Sequence, residues 1–116
     1  MDIQEKADYL AEHLLGWKRD GGISPLPIWR DGSGEIMAYL MPSWEPQNNI
    51  SQCFEYIIPA MEKRYGFGNR NGFILTITDG GQWLCEFGKP NWMDASADNP
   101  ATAIVEAAYS AISGQE

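Results

Sequence analysis

Residues 73–87, FILTITDGGQWLCEF, restrict the fold of this chain more than any other stretch. Two runs with strand-type alternation flank Asp79-Gly80-Gly81, and glycines there tolerate the positive φ that a tight hairpin connection needs. Alternation places Phe73, Leu75 and Ile77 on one face of the first strand. Trp83, Cys85 and Phe87 share one face of the second. A helix suited to cover them follows. Asn99 caps it, Pro100 takes its first position, and Ala101, Ile104, Val105, Ala108 and Ile112 line one stripe. Its many alanines let it lie close against a sheet.

The other elements read in the same way. Residues 2–15 are expected to form a helix, with Asp2 as cap and Glu5 three positions on, the spacing of a capping box. Gly16 supplies the left-handed ending, and Trp17 the apolar contact just beyond it. GGISPLP is a loop, and IWR and EIMAYLM read as short strands joined across Asp31-Gly-Ser-Gly34. Pro25 and Pro27 confine the first of these strands to an edge or a late start. In SWEPQNNISQC either Asn48 or Asn49 caps a middle helix over 50–64, and Trp44 folds back over its first turn. Ile50, Cys53, Phe54, Ile57, Ile58 and Met61 form its apolar side. Pro59 removes the amide that would bond the carbonyl of Glu55, so the helix either kinks there or stops near Ile58. Gly66 closes the element. A short strand near Trp92 is also expected.

The expected fold is therefore α+β, in one domain over residues 1–116. Its order is helix–hairpin–helix–hairpin–helix around a mainly antiparallel sheet of about four strands. With 116 residues and 44% apolar content the chain can build a real core. Its two cysteines, Cys53 and Cys85, do not make a secreted disulfide framework. They read as buried thiols, with a bridge between them left open. The acidic, amphipathic start is wrong for a signal peptide, and no apolar run approaches the roughly 20 residues that span a bilayer. The cytoplasm is the expected compartment. A net charge of −8 argues against nucleic acid and anionic membranes as partners.

Candidate chemistry is sparse. His13 is the only histidine and two distant cysteines cannot complete a zinc site with it, so no metal and no cofactor are expected. Asp31–Glu35 lacks the glycine and glutamate of a calcium loop and reads as a turn. KRYGFGNRNGF interleaves Lys63, Arg64 and Arg70 with Tyr65, Phe67 and Phe73, a mixture that suits strand stacking, yet cations also suit the end of a helix. Two sets of residues are candidate binding groups. Asp2, Glu5, Asp8 and Glu12 cluster on one face of the first helix, where a basic partner would dock. Trp29, Trp44 and Trp92 lie in or near loops, where aromatics rim pockets and oligomer contacts.

Several of these features together resemble the phage ABA sandwich domain family of small phage and prophage proteins. They are Gly16-Trp17 at the end of the first helix, and Trp44, Pro46 and Asn49 opening the middle one. Trp83 in a strand and the alanine-rich NPATAIVEAA start of the last helix complete the set. The likeness runs over roughly residues 5–112. It implies a layered α/β/α sandwich, and it implies no catalytic residue. The expected function is a non-enzymatic, phage- or prophage-derived domain that binds a host or phage protein, with homo-oligomerisation compatible. The alternative is a small-ligand sequestering protein with an aromatic-rimmed pocket.

Overall fold

A computed structural model of the chain describes residues 2–20, 28–31, 33, 44–65, 72–88 and 93–113. The first helix, α1 (Ile3–His13), starts at a complete capping box. The Asp2 carboxylate accepts from the Glu5 amide at 2.8 Å, and the Glu5 carboxylate accepts from the Asp2 amide at 3.4 Å. Two orphan donors of a helix start are thereby satisfied. Ala7, Leu10 and Ala11 are buried. Gly16 takes φ 72°, and the Trp17 amide reaches back to the Ala11 carbonyl at 2.9 Å. A glycine makes that reversal without a Cβ clash.

Trp17 leads into β1 (Lys18–Asp20), which pairs antiparallel with β2 (Ile28–Arg30). Arg19 lies opposite Trp29. The sequence suggested EIMAYLM as the partner of IWR, and that segment lies outside the described residues. The partner among them is Lys18–Asp20, which carries no strand signal because all three residues are charged. Beyond β2, the Asp31 carboxylate accepts from the amide and hydroxyl of Ser33 at 2.9 and 2.7 Å. That is turn chemistry, as expected.

A 3₁₀ turn, Pro46–Asn48, precedes the middle helix. Asn49, rather than Asn48, is the cap, its side chain accepting from the amides of Ser51 and Gln52. The helix, α2, covers residues 50–65 and passes through Pro59 without stopping. It accommodates the proline by widening. Between α-helical turns at Ile50–Gln52 and Ile58–Tyr65 lies a π turn, Cys53–Ile57, in which the Ile58 amide bonds the Cys53 carbonyl. Pro59 has no amide for the Glu55 carbonyl and its ring would crowd it, so a wider turn just before it relieves both problems. Cys53, Ile57 and Met61 are fully buried, whereas Ile50 and Phe54, expected on the same apolar side, are 38% and 47% exposed.

The hairpin read first from the sequence is present. β3 (Gly72–Ile77) pairs with β4 (Trp83–Gly88), which pairs with β5 (Met93–Ala97), all antiparallel. The register sets Leu75 opposite Cys85 and Ile77 opposite Trp83. Gly81 turns the chain at φ 82°, while its amide bonds the Thr78 carbonyl at 2.9 Å. The strand expected near Trp92 is β5.

The last helix, α3 (Pro100–Ser113), is capped by Asn99, whose side chain accepts from the Thr102 amide at 2.8 Å. Its buried set is wider than one stripe, adding Ala103, Ala107 and Ala111 to the five residues expected. The reason is its position. α3 packs against β4 and β5, and also against α1 and the π turn of α2. Among the described residues the architecture is α+β, with three helices and two small antiparallel sheets of two and three strands. The described strands pair as β1–β2 and as β3–β4–β5, and the expected strand EIMAYLM lies outside the described residues.

Candidate functional site

The acidic face of α1 divides by use. Asp2 and Glu5 are joined to each other and to the helix start by the capping box. Asp8 is partly buried, accepting from Gln4 Nε2 at 3.0 Å and pairing with Arg19 Nη2 at 2.8 Å. Burial pushes its carboxyl upward, against the opposing pull of Gln4 and Arg19. That pair ties α1 to β1. Glu12 is exposed. The face that looked like one charged stripe is therefore largely occupied with holding the helix and its neighbour.

Gln4 is the hub of a polar network between α1 and the Pro46–Asn48 turn. Besides Asp8, its amide nitrogen donates to the Trp44 carbonyl at 2.9 Å, and its oxygen accepts from Gln47 Nε2 at 2.7 Å. The Gln47 carbonyl accepts in turn from Thr102 Oγ1 at 3.1 Å, which brings in α3. Gln47 is buried, and its Oε1 has no hydrogen-bond partner among the described residues. Gln4→Ala removes all three side-chain bonds and strands the buried Gln47 amide. A loss of roughly 2–4 kcal/mol is expected, since each unsatisfied buried group costs about 1–3 kcal/mol. Urea unfolding of the two proteins measures it, and a midpoint unchanged from the parent would refute the assignment.

Two of the three tryptophans expected at a rim, Trp29 and Trp44, are buried. Trp29 and Trp44 are each 5% exposed and join Trp17 and Tyr56 in one aromatic group. Trp17 meets Trp44 edge-on at 4.9 Å and Tyr56 at 5.3 Å, and lies 6.5 Å from Trp29. Such edge-to-face contacts suit the charge distribution of the rings. Trp44 also donates from Nε1 to the Ala7 carbonyl at 2.7 Å, and the Arg19 guanidinium stands 5.3 Å over Trp29. Trp92 lies outside the described residues.

The remaining titratable candidates are not gathered into a reactive group. His13 stacks on Tyr9 at 4.1 Å, and Tyr9 meets Tyr109 edge-on at 5.1 Å, across the seam between α1 and α3. Cys53 and Cys85 are free, buried thiols in the core. Cys53 Sγ donates to the Pro46 carbonyl at 3.2 Å. Burial pushes its thiol up to about 12, and pushes Cys85 up as well, with Cys53 adding to the effect. Thiols held neutral in this way are poor nucleophiles. No three His, Cys, Asp or Glu side chains among the described residues are placed to hold a metal ion. Lys63 and Arg64 are exposed at the end of α2, while residues 66–71 of the basic–aromatic run lie outside the described set.

Sequence reasoning missed the exposed apolar residues Ile50, Phe54, Ile74 and Ile77. A signal existed for two of them. Ile50 is the first residue after its cap, and Ile77 ends its strand, positions where cover runs out. No family model, curated protein or solved structure matches the chain. No helix among the described residues is long and apolar enough to cross a membrane.

Proposed function

We infer that this chain is a small, non-enzymatic domain of phage or prophage origin that acts by binding a protein of the host or the phage. Kinship with the phage ABA sandwich domains and residence in the bacterial cytoplasm belong to the same reading. So does the α/β/α layering, which would require cover on the Ile74–Leu84 side of the sheet. The observation that carries the reading is where the apolar side chains lie. Trp29 and Trp44 are sunk in the core, which takes two of three members from the aromatic pocket rim of a ligand-sequestering protein. Ile50 and Phe54, one helical turn apart on α2, are instead 38% and 47% exposed. Exposed apolar side chains grouped on one helix are what protein contacts use.

The test is affinity capture from bacterial lysate with the parent chain and with Phe54→Ser. Capture of one defined protein by the parent, lost in the variant at unchanged melting temperature, is the expected result. A melting temperature that climbs with the concentration of a nucleotide or metabolite would favour the ligand reading. Specific turnover of such a molecule would overturn both.

A further inference from the structure

Gly80 and Gly81 stand side by side at the tip of the β3–β4 hairpin, but the turn needs them unequally. Gly81 holds φ 82°, where a Cβ would strain the backbone. Gly80 lies outside the left-handed region, and a Cβ built on it would meet nothing closer than Thr78 Oγ1 at 3.9 Å. An alanine fits there, so the backbone does not demand glycine at 80. What the missing side chain does change is how freely the Asp79 carboxyl reaches the next amide.

Asp79 and Gly80 are both exposed. Three hydrogen bonds close the turn. They run from the Thr78 amide to the Gln82 carbonyl at 2.7 Å, from the Gly81 amide to the Thr78 carbonyl at 2.9 Å, and from the Gln82 amide to Thr78 Oγ1 at 3.3 Å. None of them uses the Asp79 carboxylate or the Gly80 amide. The other aspartates whose side chains are described are engaged, or are followed by a bulkier residue. Asp2 caps α1, Asp8 pairs with Arg19, and Asp31 accepts from the Ser33 amide and hydroxyl. Asp98 precedes Asn99, which carries a Cβ.

We propose that Asp79 is a site of spontaneous backbone modification, isomerising through a cyclic imide formed with Gly80. The Gly80 amide nitrogen attacks the protonated Asp79 side-chain carboxyl and forms a new N–C bond. The carboxyl hydroxyl leaves with the amide proton as water. A water molecule then reopens the ring at either carbonyl. Opening at the main-chain carbonyl leaves the chain running through the side-chain carbon, an isoaspartate with one extra backbone carbon. The water lost in the first step is regained in the second, so the product has the parent's mass. The longer turn loosens the Gly81–Thr78 bond and the Ile77–Trp83 pair beside it.

The folded protein is aged at mildly acidic pH, digested, and its peptides methylated by an isoaspartyl methyltransferase, which marks isoaspartate and not aspartate. Fragmentation at the N–Cα bonds then places the mark. It separates residue 79 from Asn71, whose deamidation product gains mass. Label at residue 79 that rises with time and exceeds the label at Asp31 is the expected result. Gly80→Ala, which the space around residue 80 accommodates, is expected to cut that label several-fold, because its methyl group hinders ring closure. Asp79→Asn reaches the same imide by losing ammonia and is expected to label faster than the parent. No label at residue 79 in the parent, or label that appears only after unfolding in urea, overturns the proposal. So does a Gly80→Ala variant that labels as fast as the parent.

Discussion

Trp44→Ala is expected to lower the unfolding free energy by about 3–5 kcal/mol, the range for deleting a buried aromatic side chain. Two separate losses add. The indole is 5% exposed and meets Trp17 at 4.9 Å and Tyr56 at 6.1 Å, so its removal opens a cavity among aromatic faces. Its Nε1 also satisfies the Ala7 carbonyl, which is left with one partner fewer. Trp44→Phe separates the terms, because it retains much of the packing and drops the hydrogen bond, with about 1–3 kcal/mol expected. Urea unfolding at constant slope gives both numbers. An alanine variant that loses less than about 1 kcal/mol would show that Trp44 is not the joint between α1 and the turn before α2. Against a total stability of roughly 5–15 kcal/mol for an ordinary domain, the full loss is large.

Alkaline pH is expected to unfold this protein through its thiols. Cys53 is pushed from the usual 9.0 up to about 12, and Cys85 is raised too. In both cases burial is the main cause. Above pH 9 the unfolded chain releases thiol protons that the folded chain keeps, so the unfolded state binds fewer protons and stability falls as pH rises. The slope fades below pH 9 and vanishes where both states keep their thiol protons. The decline runs from about pH 9 to about 12 for Cys53, at about 1.4 kcal/mol per pH unit for each thiol. Measured unfolding free energies at pH 8, 9 and 10 are therefore expected to drop steeply only over the last interval. The double variant Cys53→Ala/Cys85→Ala will be less stable throughout, and its slope above pH 9 is the informative quantity. That slope should shrink to a remainder including Tyr56, whose phenol is also raised by burial and by Glu55. A double variant with the full parental slope would show that the thiols are not responsible.

Much of the fold was legible because local chemistry and tertiary structure agree. Asp2 with Glu5, Gly16, Asn49 and Asn99 each perform at a helix end the role their type and position announce. The Asp79-Gly80-Gly81 hairpin forms in the register that its alternation requires. Three features could not be read. Lys18–Asp20 is a strand only because Ile28–Arg30 lies beside it, and charged residues announce no such pairing. The π turn before Pro59 is one of several ways for a helix to accept a proline. α3 buries more than one stripe because α1 and α2 cover what the sheet does not, a matter of who the neighbours are.

The candidate site was less legible than the fold, for a related reason. Trp29 and Trp44 flank loops in the sequence, and loop tryptophans are equally suited to a rim and to a core. Only the approach of Trp17 and Tyr56 decides for the core. Asp8 looks like one of four solvated charges until Arg19 and Gln4 are brought to it from β1 and from its own helix. By itself the sequence settled both ends of α1, the start of α3, the main hairpin and the α+β class, because these depend on contacts between near neighbours in the chain. Tertiary structure alone decided the central place of α3, the burial of the tryptophans and the exposure of Ile50, Phe54, Ile74 and Ile77. Burial depends on residues distant in sequence, and no local pattern states which of them will arrive.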